Sequence, residues 1–157
     1  SFQIEAFTKV YQVLEFKAAY NYLDVYRMEN DEKFVLPFNN KHRVLGTFSW
    51  NPSHGKFHID MNMHWFGAQK MPDTGQNPEQ FRIDEYSKSY SVFATQFTYN
   101  FPKLEIYVGC ENLFDFRQKR PIISWEDPFG DYFDTASVWG PTRGREIHGG
   151  FRYYPGR

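Results

Sequence analysis

The side chains best equipped for chemistry in this chain are His58, Asp60 and His64, which alternate with Phe57, Ile59, Met61, Met63 and Trp65. Imidazole and carboxylate are ordinary ligands of zinc and related ions. His58 and His64 nevertheless stand six positions apart, about 20 Å along an extended strand, so they do not share one ion. The same spacing puts all three on one face of a strand, with the apolar residues on the other. Cys110 is the only cysteine and supports neither an internal disulfide nor a metal framework. Glu105 and Glu111 are not forced against a second carboxylate, and no nucleophile, metal or phosphate signature is present. Neither catalysis nor a resident cofactor or metal is expected.

Binding is the other chemistry on offer. The connection 117–144 carries Trp125, Phe129, Tyr132, Phe133 and Trp139 among prolines and glycines. Loops that rich in aromatics are costly to expose unless they pack or bind, so these five are the candidate ligand contacts. Arg117, Lys119 and Arg120 could attract an anionic ligand, or be solvated like most charge clusters.

Positioning such residues requires strands. Aromatics make up 20% of the 157 residues, with 17 Phe, 11 Tyr and 4 Trp, in a chain that is polar on average. That combination suggests strands whose alternate residues face something apolar. The net charge of -1 gives no reason to expect nucleic acid. No run approaches the roughly 18 apolar residues of a spanning helix, which leaves a membrane barrel open because its signal per segment is weaker.

Period-two alternation marks strands at about 2–8, 14–27, 43–50, 57–65, 90–101, 104–111 and 145–154. In the sixth, Leu104, Ile106, Val108 and Cys110 oppose Glu105, Tyr107, Gly109 and Glu111. The connections alternate in length, short at 9–13, 51–55 and 102–103 and long at 28–41, 67–88 and 117–144. Short turns on one rim and long loops on the other are the pattern of bacterial outer-membrane barrels. The first residues already alternate, so the chain reads as starting inside a strand, as a piece of something longer.

One ordered set of residues adds a resemblance. Ile106-Tyr107-Val108-Gly109-Cys110-Glu111-Asn112-Leu113-Phe114-Asp115 is followed by Pro121-Ile122-Ile123, Phe133-Asp134, Val138-Trp139-Gly140-Pro141, Gly144-Arg145 and Gly149-Gly150-Phe151-Arg152-Tyr153. This resembles the C-terminal end of TonB-dependent outer-membrane receptors, in the variant of the Bacteroidetes type. Tyr20-Asn21-Tyr22-Leu23-Asp24 and Leu36-Pro37-Phe38 through His42-Arg43 are also similar to that family.

The resemblance implies an all-β fold: an antiparallel transmembrane β-barrel segment, the last seven or so up-and-down strands of a larger barrel, spanning residues 1–157. It implies residence in the outer membrane of a Gram-negative bacterium and active import of a scarce small-molecule nutrient. The partners would be outer-membrane lipid, the remainder of the barrel, a plug domain, and the TonB complex through an N-terminal region. Neither plug nor TonB-contact segment can be assigned in this chain. His58, Asp60, His64, Glu105 and Tyr107 would face the lumen, Cys110 the lipid, and the aromatic loop the cell exterior. Two alternatives remain at this stage: a complete small barrel of eight strands, and a soluble lipocalin-like ligand-binding barrel, which would turn its apolar face inward.

Overall fold

Alternation at period two leaves a strand one way to keep its apolar half together: pairing in a register that aligns it with the apolar half of its neighbour. The computed structural model describes residues 1–52 and 55–156 and has this arrangement throughout. Seven antiparallel strands form one sheet in the spatial order β1 (Phe2–Val10), β2 (Leu14–Tyr22), β5 (His42–Trp50), β6 (Phe57–Phe66), β7 (Tyr90–Asn100), β8 (Leu104–Glu111) and β9 (Glu146–Tyr153). A separate hairpin of β3 (Tyr26–Glu29) and β4 (Glu32–Val35) stands in the first long connection. The sheet is all-β, up-and-down and open, with β1 and β9 as its edges. Ser53 and His54, in the expected turn at 51–55, and Arg157 lie outside the described residues.

The register keeps one apolar face continuous across the sheet. Val10 pairs with Leu14, then Trp50, Ile59, Phe97, Val108 and Gly149 follow in one row. A second row runs Thr8, Phe16, Phe48, Met61, Thr95, Cys110 and Ile147. Phe16 and Phe48 meet at 5.1 Å, and Phe57 and Phe97 at 5.9 Å. Trp50, Phe57, Tyr99 and Tyr153 sit at the short-turn ends of their strands, while Tyr20, Tyr22 and Trp65 sit toward the long-loop ends. Small residues occupy the middle: Ala6, Ala18 and Gly46 pair in sequence, and the groove they leave is flanked by Phe16, Phe48 and Met63.

The rows also slant. Val10 is the last residue of β1, yet its row reaches Gly149, four residues short of the end of β9. Four residues of about 3.4 Å over six inter-strand steps of about 4.8 Å slant the rows by roughly 25° from the rim, so the strands lean by the same angle from the normal to it. The Thr8 row, two residues further from the short turns on every strand, reaches Ile147 with the same offset of four residues and so has the same slant. Closing a sheet into a barrel requires a stagger of this kind.

Among the described residues, nothing covers the apolar face. Val108 is 50% exposed, Ile106 44% and Phe97 41%, although all three are interior to the sheet. Among the described residues the buried hydrophobics are Met71 and Ile123, and both lie in the long loops. The chain exposes 11389 Å² for a mass of 18.8 kDa, against about 8,300 Å² expected of a soluble monomer of that size. A single layer of sheet accounts for the difference.

The first long connection departs from expectation. β2 ends at Tyr22 and not at residue 27, and much of the expected loop at 28–41 is the β3–β4 hairpin. Asp24 stops the strand by pairing with Lys33 at 2.6 Å and Lys41 at 3.2 Å, while the Leu23 amide donates to the Lys41 carbonyl at 2.9 Å. The hairpin turns at Asn30 and Asp31, whose φ values of 50° and 64° are those of a type I′ turn. Asn and Asp tolerate that conformation, but without glycine the pair is a weak sequence signal.

Candidate functional site

The face opposite the apolar one is polar and laterally paired. Lys9 pairs with Glu15, Lys17 with Glu5 at 2.9 Å, and Arg152 with Glu105. The Ser49 hydroxyl donates to Asp60 at 2.7 Å, and His58 Nε2 stands 3.5 Å from the same carboxylate. His64 takes no part in that contact and lies instead along Phe66, with 6.3 Å between ring centres. The three residues singled out for chemistry therefore share a face but not a site. Among the described residues, no three His, Cys, Asp or Glu side chains come together as a metal site.

Glu105 and Tyr107 belong to a tighter arrangement on β8 and β9. Tyr107 pairs with Gly150 and His148 with Gly109, so each ring lies over the glycine opposite. A Cβ on Gly150 would come within 2.5 Å of the Tyr107 hydroxyl, and one on Gly109 would strike the His148 ring. Arg152 stands 5.4 Å from the centre of the Tyr107 ring while it pairs with Glu105. Two glycines thus let two large side chains lie flat against the sheet.

Beyond the long-loop end of the sheet, connections 67–89 and 112–145 form a packed roof. Its polar clamps come from side chains that bond backbone. Asn112 is buried with φ at 48°, donates to the Phe116 carbonyl at 2.7 Å and to Arg143 at 3.2 Å, and accepts from the Phe116 amide at 3.0 Å. Asp115 accepts from the Arg145 amide at 2.7 Å and from the Arg117 guanidinium at 3.0 Å. These contacts, led by the Arg145 amide, hold its carboxyl below the usual range. Gln118, buried, accepts from the amides of Trp139 at 2.7 Å and Gly140 at 3.0 Å and donates to the Ser137 carbonyl at 2.9 Å. Gln69 and Ser87 exchange bonds at 2.9 and 3.1 Å and close the other loop on itself.

An aromatic stack ties this roof to the sheet. Tyr90 lies on Phe66 at 4.9 Å and on Phe116 at 5.0 Å, meets Trp139 at 5.6 Å, and donates to the Trp139 carbonyl at 3.3 Å. Phe66 and Tyr90 share the face of His64, so loop 117–144 folds over the polar side of the sheet. Below it, His64, Val92, Val138 and Pro141 line an open groove.

The five aromatics expected to contact ligand divide by position. Trp139 is held in the stack. Tyr132 stacks on Phe81 at 5.1 Å and Trp125 is 64% exposed, and both line an open cavity between the two loops. Phe129 is fully exposed and Phe133 partly so. Next to that cavity lies a cleft of about 470 Å³, floored by Met71, Phe116 and Trp139 and walled by Arg82, Lys88, Arg117, Lys119 and Arg120. Arg82 and Lys88 were invisible as site residues in the sequence, because nothing local links residues 82–88 to residues 117–120.

Against known proteins, no family model matches this chain and no curated protein matches it.

Proposed function

We propose that this chain is the C-terminal part of the lipid-embedded wall of a TonB-dependent outer-membrane receptor, an importer of a scarce nutrient. The observation that carries the proposal is the register. It gathers the apolar halves of seven strands into one uncovered face, with aromatics at the strand ends and small residues between them. In water such a face would demand a cover, whereas in a bilayer the lipid supplies it. The slant of the rows and the sorting of turns and loops to opposite rims support the same reading. In it, the edges β1 and β9 meet the rest of the barrel wall, the polar face lines the lumen, and the roof hangs over the mouth on the outer side. A lipocalin-like barrel would enclose the apolar face instead, with the charged pairs of the other face in solvent.

The test uses the full-length protein in vesicles and the native cysteine. Cys110 shares its face with Val108, and bimane attached to it is expected to be quenched by brominated phosphatidylcholine. Bimane on Tyr107→Cys in a Cys110→Ser background is expected to escape quenching. Equal quenching at the two sites defeats the proposal.

A further inference from the structure

The cleft between loops 67–89 and 117–144 concentrates positive charge in a chain whose net charge is -1. Five cationic side chains and one carboxylate, Asp84, line it. Arg117 is committed to Asp115, and Arg82 donates from Nε to the Asn77 carbonyl at 2.7 Å. Lys88, Lys119 and Arg120 are exposed and have no carboxylate partner among the described residues. Charge usually solvated on a surface is here gathered around a concave floor made of Met71, Phe116 and Trp139. Met71 is 4% exposed, and the rings of Phe116 and Trp139 are fixed against Tyr90. The floor is preformed. A cleft of about 470 Å³ falls within the range of small-molecule sites.

A preformed apolar floor beside three cations that have no carboxylate partner among the described residues, Lys88, Lys119 and Arg120, selects for one kind of ligand. A neutral apolar molecule would leave the cations without partners, and a small inorganic anion would leave the floor wet. An anion with several charges around a flat or apolar body satisfies both, since its charged groups meet the lysines and arginines while its body displaces water from the rings. The adjoining cavity is different: Glu126, Asp127 and Asp131 line it together with Arg82 and Arg120, so carboxylates outnumber cations there by one.

We propose that this cleft is an anion-binding site for a multiply charged small molecule with an apolar face. That the bound molecule is cargo on its way to the lumen rests on the receptor reading, whereas the binding itself rests on the cleft alone. The probe is 1,3,6,8-pyrenetetrasulfonate, a flat fluorescent tetra-anion, titrated against the full-length protein in neutral detergent. Saturable binding that weakens as salt is raised is expected. Lys88→Glu combined with Lys119→Glu should weaken it by about tenfold or more, because both reversals act on the same bound charge. Lys103→Glu, at the opposite rim, should leave it unchanged. Both loop positions are exposed, and an unaltered melting transition will confirm that the double variant is folded. Absence of binding, retention of affinity in the double variant, or an equal loss in Lys103→Glu overturns the proposal. Should bimane on Cys110 escape lipid quenching while the dye still binds as described, the anion site stands and its part in import falls. Quenching without dye binding removes the site and leaves the receptor reading intact.

Discussion

Met61→Arg in the full-length protein is expected to cost about 2–4 kcal/mol of unfolding free energy, the range for a cation on the lipid face near midplane. β6 has ten residues, or nine steps of about 3.4 Å, and a tilt of about 25° projects them onto about 28 Å along the membrane normal. Met61 is four steps from Phe57, which places it about 12 Å from the short-turn level and within about 2 Å of the middle. Its row neighbours are Phe48 and Thr95, so a guanidinium there finds no carboxylate beside it. Asn62 stands at nearly the same depth on the opposite face and is exposed, with Thr47 and Ala94 opposite. Asn62→Arg keeps its charge hydrated and should change stability by less than about 1 kcal/mol. Guanidinium titrations of the two variants in phosphatidylcholine vesicles, followed by tryptophan fluorescence, measure the difference directly. Costs that agree within about 1 kcal/mol, or a larger cost at Asn62, would refute the assignment of the apolar face to lipid.

Other consequences are local to the elements described. Gly150→Ala should destabilise by about 1–3 kcal/mol, the usual cost of overpacking, because its methyl displaces the Tyr107 ring; adding Tyr107→Ala should recover part of that loss in the same titration. Gln118→Leu leaves the amides of Trp139 and Gly140 without an acceptor and should raise the rate of proteolytic cleavage within 117–144 by about tenfold, at a local cost of about 1–3 kcal/mol, while the sheet stays resistant. Trp139→Ala should open the same loop to protease, whereas Trp125→Ala, at an exposed ring, should not. Asp115 supplies a pH test: its folded carboxyl lies below the usual value, so its stabilisation is complete above about pH 4 and is lost as pH falls through the depressed value. Loop cleavage by an acid-active protease should therefore rise below about pH 4 in the native protein, and Asp115→Asn should already be cleaved at neutral pH with little further change.

Local chemistry made much of this fold readable in advance. Nine residues of uninterrupted alternation in 57–65 admit no other regular structure, since a helix would scatter the same residues around its axis. Prolines, glycines and charges then divided the chain at nearly the right places, and the alternation of short and long connections followed. The β3–β4 hairpin escaped because its turn uses Asn30-Asp31, whose positive φ values are tolerated by many sequences that never turn. The end of β2 escaped for a related reason, since Asp24 stops the strand by pairing with lysines at 33 and 41, beyond any local window.

Period and composition alone determined that the chain has one apolar and one polar face per strand, and that His58, Asp60, His64, Glu105 and Tyr107 lie on the polar one. Only the tertiary structure decided which of these meet. Register carried Asp60 to Ser49 and Glu105 to Arg152, but left His64 on Phe66, because cross-strand pairs depend on stagger and stagger is a property of the whole sheet. The same holds for the roof. The aromatic residues of 117–144 were visible, yet whether each packs or stays exposed depended on partners at Phe66, Phe81 and Tyr90. The basic cleft is the extreme case, since lysines and arginines some thirty positions apart make one site only when two loops are folded against each other.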